Sequence, residues 1–320
     1  MSLLLERTSS GDLLWVENPF TGAMTYLTDI HLKQSGFQAH DPTGAAAPLQ
    51  THELSEICRA CAFCPGNEHM TTSEIMRRVP DASDTWLTRA FPNLFPRVPT
   101  QCTGGKNESY LLVETPDHFR PGATHPEHLA YTAALGASHF WDVMRDAVSL
   151  AQLSLANPSV AGVVIRKNQG RESGASQPHP HTQVIGTGRP FAPIAREKAV
   201  LEQDPTLWQQ ILEFAEREQL LIAEREGCYL YFSPFGTFPR SYEVVDTRSS
   251  CRLDEVDPTR LHIFSDLLYR ALEILGDAPL DYEVHAEPGL PLHAHINARH
   301  YPYSNIAGTL NLPMQLLRRV

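Results

Sequence analysis

The stretch "QPHPHTQVIG", residues 177–186, sets two histidines and a glutamine at alternate positions, His179, His181 and Gln183. Side chains at alternate positions of an extended strand share one face. Val184 and Ile185 follow directly. The pattern therefore predicts a strand that has His, His and Gln on one face and continues into apolar residues. We interpret this face as a site for chemistry rather than for packing alone.

Working outward, the same order of elements is predicted twice: strand, amphipathic helix, strand, His-x-His strand. The first set consists of a strand at 109–118, a helix capped by Ser138, a strand at 161–170 and the His-x-His strand at 177–186. The second set consists of a strand at 240–247, a helix at 259–277, a strand at 280–289 and the His-x-His strand at 291–301. Residues 191–226 are predicted to be mainly helical with a break at Pro205, and 41–50 to be a surface loop. Four elements repeated in order indicate a duplicated α+β unit.

Composition limits the classes of function. The chain has 320 residues, 42% hydrophobic and 20% charged, which is globular and sufficient for one large domain or two joined ones. Its net charge of −11 argues against wrapping nucleic acid, although a local basic site for a small anion remains possible. There is no apolar run of about 20 residues that would span a bilayer. Without a basic lead-in or a disulfide framework, we expect a reduced, cytoplasmic chain.

The Cys-x-x-Cys motif has the spacing of a metal site. Cys61 and Cys64 on a tight turn could both reach one tetrahedral zinc ion, although such a pair can also be a redox motif. Two further ligands must come from elsewhere, and the candidates are His118 and His179, with Cys58 as a spare.

A neutral histidine is a competent nucleophile because its free nitrogen needs no deprotonation. Attack on phosphorus would give a phosphoramidate. The glycine-rich loop 170–176 could bring backbone N–H groups close to phosphate oxygens, and Gln183 would add a neutral donor.

Six motifs in order resemble the galactose-1-phosphate uridylyltransferase branch of the histidine-triad superfamily. They are "NPFTG" (18–22), "CAFCPGNE" (61–68), "FPNLFP" (91–96), "TPDH" (115–118), "NQGRESGASQPHPHTQ" (168–183) and "LHAH" (292–295). Hydrolases of the superfamily carry a third histidine where Gln183 stands, so the glutamine favours the transferase branch. The implied fold is α+β, with duplicated histidine-triad-like halves at 1–190 and 191–320, each an antiparallel sheet with helices.

The resemblance also implies roles for individual residues. His181 would be the nucleophile, Gln183 and Ser176 would hold phosphate oxygens, and Asn168 and Gly174 would help position the nucleotide phosphates. A structural zinc would be bound by Cys61, Cys64, His118 and His179, and a second metal, iron or zinc, by Glu197, His285, His293 and His295. The implied substrates are a nucleoside diphosphate sugar and a sugar 1-phosphate or phosphate. The implied assembly is a homodimer.

Two departures from the family pattern concern the choice of acceptor. The family's arginines after the "NP-x-TG" motif are missing, and only His31 and Lys33 stand nearby. The Lys and "GYE"-like segment after "HAH" are replaced by "HYPYSNIAGTLNLP", which is closer to the ADP-glucose phosphorylase relatives of the family. We therefore expect galactose 1-phosphate to be a poor acceptor, and residues 306–313 to read the second substrate, including across a dimer interface.

The activity that the resemblance implies first is that of a hexose-1-phosphate uridylyltransferase-like enzyme, with an ADP-glucose phosphorylase as an alternative. Two other interpretations remain. A dinucleoside polyphosphate phosphorylase shares the His-x-His-x-Gln chemistry, but the Cys-x-x-Cys motif argues against it. A non-catalytic metal- or nucleotide-binding relative would not need the intact "HPHTQ".

Overall fold

The computed structural model describes residues 3–299, except for 8–10, 12, 23, 27–50, 81–84, 97, 237 and 239. The predicted loop at 41–50, the candidate phosphate cations His31 and Lys33, and the acceptor-reading segment 306–313 lie outside the described residues.

Five α-helices and thirteen strands are found in the described part of the chain. The helices are α1 (Thr51–Ala60), α2 (Ala137–Leu155), α3 (Ala192–Gln203), α4 (Leu207–Arg217) and α5 (Pro258–Leu275). The strands are β1 (Leu5–Arg7), β2 (Leu13–Glu17), β3 (Met24–Tyr26), β4 (Met76–Arg78), β5 (Thr88–Pro92), β6 (Ser109–Val113), β7 (Gly162–Gln169), β8 (His181–Thr187), β9 (Leu221–Arg225), β10 (Cys228–Phe232), β11 (Ser241–Asp246), β12 (Leu280–Glu287) and β13 (Leu290–Ala298).

Ten strands form one antiparallel sheet in the order β4-β5-β6-β8-β7-β12-β13-β11-β10-β9, and β1 to β3 form a separate three-stranded sheet. The order is symmetric about the β7–β12 junction. On each side, three strands, a long helix and two strands follow one another along the chain, and the last strand inserts between the third and the fourth. The prediction of two similar α+β halves is therefore confirmed. A boundary at residue 190, between β8 and α3, stays a prediction.

The sheet register shows which residues of the two halves are equivalent. Gln183 of β8 lies opposite Leu111 of β6, and His295 of β13 lies opposite Glu243 of β11. Gln183 and His295 are therefore equivalent positions. It follows that the nucleophile candidate, two residues before Gln183, corresponds to His293.

Helices α2 and α5 cover one face of the sheet. Side chains such as Met144 of α2 and Phe264 of α5 are fully buried in a core cluster with Val184 of β8 and Tyr282 of β12. Because side chains alternate along a strand, His181 and Gln183 point to the opposite face. That second face carries the polar groups described below.

Three sequence predictions were wrong in detail. Helix α2 begins one residue before Ser138, and its N-cap is Gly136, which has φ 89° and makes no side-chain cap. Residues 221–225 form a strand rather than a helix, because Glu226 and Gly227, with φ 53° and 82°, close a tight hairpin to β10. His179 precedes β8 instead of lying on it, so only His181 and Gln183 share the strand face.

Candidate active site and metal centres

Two cysteines and two histidines meet in a buried cluster at the start of β8. The Cys61 Sγ and His179 Nδ1 atoms are 3.7 Å apart, Cys64 Sγ and His118 Nδ1 3.5 Å, and Cys64 Sγ and His179 Nδ1 3.6 Å. Ligands bound at ~2.0–2.3 Å to a tetrahedral ion lie about 3.3–3.8 Å from one another. The cluster therefore fits a metal of zinc's size, and the spare candidate Cys58 is not a member of it.

Local structure prepares these ligands. The cysteines lie on a turn after α1, where Asn67 Nδ2 donates to the Cys61 carbonyl at 2.8 Å. His179 Nε2 donates to the Thr115 carbonyl at 2.7 Å, so Nδ1 faces the sulfur atoms. The Cys64 thiol, which donates to Cys61, holds the pKa of Cys61 well below its ordinary value, while the pKa of Cys64 rises. A bound cation favours the thiolate of both residues.

The ring of His181 is held in one orientation. Its Nδ1 donates to the His179 carbonyl at 2.9 Å, and the edge of Phe63 packs against it with ring centroids 5.4 Å apart. Burial lowers the pKa of His181 to about 4, so the ring is neutral at pH 7. With Nδ1 engaged, the lone pair of Nε2 is the one available for attack.

His181 lines a cavity of about 150 Å³ together with Ser176 and Gln183. The remaining wall is largely apolar and includes Phe91 and Leu111. Three further lining residues, Met70, Leu94 and Phe95, expose large apolar side chains. The cavity thus combines His181 and polar side chains with apolar side chains of the kind on which a flat ring can stack.

Asn168 and Gly174 are not among the residues that line this cavity. The Nδ2 of Asn168 donates to the Ser173 carbonyl and so fixes the loop 170–176. Gly174 has φ 86°, a left-handed conformation that a side chain at this position would strain. Both residues shape the glycine-rich loop beside the nucleophile.

A buried ion pair behind His181 was not anticipated from the sequence. Lys167 Nζ donates to Glu114 Oε1 at 2.7 Å and to the His181 carbonyl at 3.2 Å, and both side chains are fully buried. Thr132 and Thr182 also donate to Glu114, at 2.6 and 2.7 Å. Burial alone would raise the pKa of Glu114, but Lys167 and the two hydroxyls hold it below its ordinary value. The only sequence signal is a lysine inside an apolar strand.

The second predicted ligand set is also brought together. Glu197 of α3 lies 2.9 Å from His285 Nδ1, 3.3 Å from His293 Nε2 and 3.1 Å from His295 Nε2. One ligand atom from each of the four residues lies within 4.8 Å of the others, and the buried His293 Nε2 has no hydrogen-bond partner in the described part of the chain. The His293 Nδ1 donates to the Pro291 carbonyl at 2.7 Å, as His181 does to residue 179. The quartet fits a metal ion.

A second group missed by the sequence analysis supports this quartet. Glu243 is buried, lies 3.6 Å from His295 Nδ1, and accepts hydrogen bonds from Tyr231 and Ser233. A cavity of about 210 Å³ reaches the quartet and is lined by Asn18 of the "NPFTG" motif. That motif therefore packs over the second centre rather than over the nucleophile.

Comparisons with known proteins found relatives in sequence and in fold. A curated ADP-glucose phosphorylase from Arabidopsis thaliana is 23% identical over 245 residues, which are 72% of this chain and 68% of the relative. A crystal structure of an ADP-glucose phosphorylase from Arabidopsis thaliana with bound ADP-glucose has a TM-score of 0.67 at 16% identity, covering 99% of this chain and 98% of that one. A uridylyltransferase structure has a TM-score of 0.60 at 17% identity, covering 95% of each chain.

The chain therefore has the same fold as these ADP-glucose phosphorylase and uridylyltransferase structures, as its motifs predicted. Within that fold class, residues 100–288 match the family model described as a domain of unknown function, DUF4921, and the chain belongs to this family. The match includes His181 and Gln183 but begins after the Cys-x-x-Cys motif and ends before His293.

No helix in the described ranges is both long and apolar enough to cross a bilayer.

Proposed function

We propose that this protein is a nucleotidyltransferase that acts on nucleoside diphosphate sugars through a covalent nucleotidyl-His181 intermediate. The observation that carries the proposal is the His181 ring itself. Its Nδ1 is tied to a backbone carbonyl, and the residue lines a cavity together with the polar side chains of Ser176 and Gln183 and with several apolar side chains.

The reaction divides into two displacements at the α-phosphorus. In the first, the Nε2 lone pair of His181 forms the N–P bond while the bond from phosphorus to the bridging oxygen breaks, and sugar 1-phosphate leaves with that electron pair. In the second, an oxygen of phosphate or of a sugar 1-phosphate attacks phosphorus and the N–P bond breaks, which restores neutral His181. Neither step needs a base for the nucleophile, so catalysis rests on in-line positioning and on donors around the phosphoryl oxygens.

The neighbouring groups have complementary tasks in this scheme. Gln183 and Ser176 donate to the non-bridging oxygens from the wall of the same cavity. Backbone N–H groups of the loop 170–176, kept in shape by Asn168 and Gly174, add further donors. The apolar wall formed by residues such as Phe91 holds the nucleotide base.

The two metal centres have supporting roles. Zinc at Cys61, Cys64, His118 and His179 would be structural, and it would fix the residue whose carbonyl orients the His181 ring. Iron or zinc at the Glu197 quartet would tie α3 to β12 and β13.

For the second substrate, we propose phosphate or a sugar 1-phosphate other than galactose 1-phosphate. The missing early arginines and the relatives named ADP-glucose phosphorylase support this choice. A hexose-1-phosphate uridylyltransferase activity is the second candidate, and it is supported by the motifs from "CAFCPGNE" to "LHAH" that resemble that branch. We further propose a homodimer, from the family resemblance, and a cytoplasmic location, since all six cysteines are free.

The test is a panel of donors and acceptors. UDP-glucose and ADP-glucose are each incubated with purified protein, alone and with orthophosphate, glucose 1-phosphate or galactose 1-phosphate. The proposal predicts a nucleotidyl adduct without acceptor, and its discharge when an acceptor is added. Absence of any adduct and of any exchange across the panel would contradict it.

A further inference from the structure

One row of side chains crosses the open face of the large sheet through both halves. Cross-strand partners define it without a break: Phe91, Leu111, Gln183, Arg166, Glu283, His295, Glu243 and Tyr231. Neighbouring strands lie about 4.8 Å apart, so successive members of the row are within side-chain reach of each other. The row therefore gives the order in which a ligand lying across β6, β8 and β7 would meet them.

The two halves place different charges at equivalent positions of this row. Gln183 and Arg166 occupy the positions that His295 and Glu283 occupy in the second half. The second set carries an acidic group and lies beside the quartet that could hold a metal ion. The first set replaces the acid by arginine, the residue type that suits an anion.

Arg166 has hydrogen-bonding capacity left over. Its NH2 group donates to Asn168 Oδ1 at 3.2 Å, while its buried Nε has no hydrogen-bond partner in the part of the chain that the structure describes. Glu283 Oε1 lies 3.7 Å from that Nε, which is close enough for an ion pair but too far for a hydrogen bond. The side chain is 34% exposed. The buried Nε is out of a ligand's reach, but the exposed part of this guanidinium, next to the strand of His181, can donate to an anion that a ligand supplies.

We propose that Arg166 binds the β-phosphate of the donor, and hence the phosphate of the acceptor that later occupies the same position. This inference rests on the proposed function and adds a specificity-determining residue to it. The apolar wall of Phe91 and Leu111 lies on one side of β8, and Arg166 lies on the other. With the nucleoside against the apolar wall and the α-phosphorus at His181, the next phosphate along the ligand reaches β7.

The position also accounts for a gap in the sequence pattern. The arginines that the related family carries after its "NP-x-TG" motif are absent here, and the motif itself lies over the second metal quartet. A leaving phosphate monoester still needs a cation to stabilise its charge, and Arg166 provides a planar, permanently charged donor for it.

The experiment compares Arg166→Met, which keeps the length but removes the charge, with Arg166→Lys, which keeps the charge but loses the planar donor set. Arg189→Met is the matched control, because Arg189 is exposed and lies beyond the far end of β8. Calorimetry gives the affinities of ADP and AMP, or of UDP and UMP, for each protein. Steady-state kinetics give the KM for orthophosphate and glucose 1-phosphate, and thermal unfolding reports whether each variant is folded.

We expect Arg166→Met to lower the affinity for the nucleoside diphosphate by about 10- to 100-fold and to raise the acceptor KM by a similar factor. The affinity for the nucleoside monophosphate should change by less than about twofold. Arg166→Lys should lose less of the diphosphate affinity than Arg166→Met, and the Arg189→Met control should bind as the wild type does. If Arg166 served only to pair with Glu283, its substitution would lower the affinities for the mono- and diphosphate by the same factor. That result would overturn the proposal. So would an unchanged diphosphate affinity in a folded Arg166→Met protein. A wild type that forms no adduct would refute the proposed function, while the diphosphate-to-monophosphate comparison would still decide the role of Arg166.

Discussion

The two halves of the molecule have the same strand order and place polar groups at the same positions, yet they gather different chemistry. In each half a histidine on the inserted strand, His181 or His293, donates its Nδ1 to the carbonyl two residues earlier. In the first half, His181 lines a cavity and its Nε2 is not used in that hydrogen bond. In the second half, the Nε2 of His293 lies 3.3 Å from Glu197. The fold thus fixes the orientation of the ring in both halves, and the surroundings differ as expected if His181 is the nucleophile and His293 a metal ligand.

The largest expected effect breaks this equivalence directly. His181→Asn should lower turnover by more than about 10³-fold, because no other side chain can form the covalent bond. His293→Asn at the equivalent position should reduce the content of the second metal and keep the nucleotidyl adduct. Turnover and metal content are measured on both variants. Equal loss of activity in the two folded proteins would contradict the division of roles.

Removing a ligand from the first metal cluster should have the next largest effect. Cys61→Ser or His118→Ala should lower the amount of bound zinc. Each should also lower the free energy of unfolding by several kcal/mol, since the site ties together segments distant in sequence. Elemental analysis and thermal unfolding measure the two quantities. Cys102→Ser, at an exposed cysteine outside the cluster, is the control and should change neither. Full zinc occupancy in both ligand variants would refute the ligand set.

The buried pair behind His181 should have a smaller effect that can be separated into stability and turnover. Lys167→Met leaves Glu114 buried without its cation and should cost about 3–5 kcal/mol of unfolding free energy. The double variant Lys167→Met/Glu114→Leu should recover part of that stability but not turnover, because the contact to the His181 carbonyl remains lost. Recovery of both in the double variant would show that the pair serves folding alone.

The smallest effect concerns the acceptor. Galactose 1-phosphate should give a kcat/KM at least about tenfold below that of orthophosphate with the better of UDP-glucose and ADP-glucose as donor. The physical reason is the absence of the early arginines and of the hexose-reading segment. An efficient exchange of UDP-glucose with galactose 1-phosphate would favour the uridylyltransferase candidate instead.

Much of the fold could be predicted because the elements repeat with clear periodicity. The strand at 161–170 and the helix at 259–277 are found close to their predicted bounds. The hairpin at 221–232 was missed because a five-residue strand gives a weak signal beside two helices. Its turn depends on a positive φ at Glu226, and glutamate is not a residue type that predicts such a turn.

The site residues could be predicted as a set because the motifs carry them, and the structure brings both predicted ligand quartets together. The supporting groups could not. Lys167 and Glu243 are charged residues within strands and Glu114 directly follows one, and on a sequence all three are indistinguishable from charges at a surface. Their burial depends on which strands become neighbours, which only the assembled sheet defines.

The most direct test of the central claim is the position of the covalent intermediate. The protein is incubated with donor sugar nucleotide and no acceptor, quenched under alkaline conditions that preserve an N–P bond, digested, and sequenced by mass spectrometry. The account predicts one nucleotidyl group per chain on His181, which is lost on addition of phosphate and absent in His181→Asn. A nucleotidyl group on any other residue, or exchange that persists in His181→Asn, would contradict it.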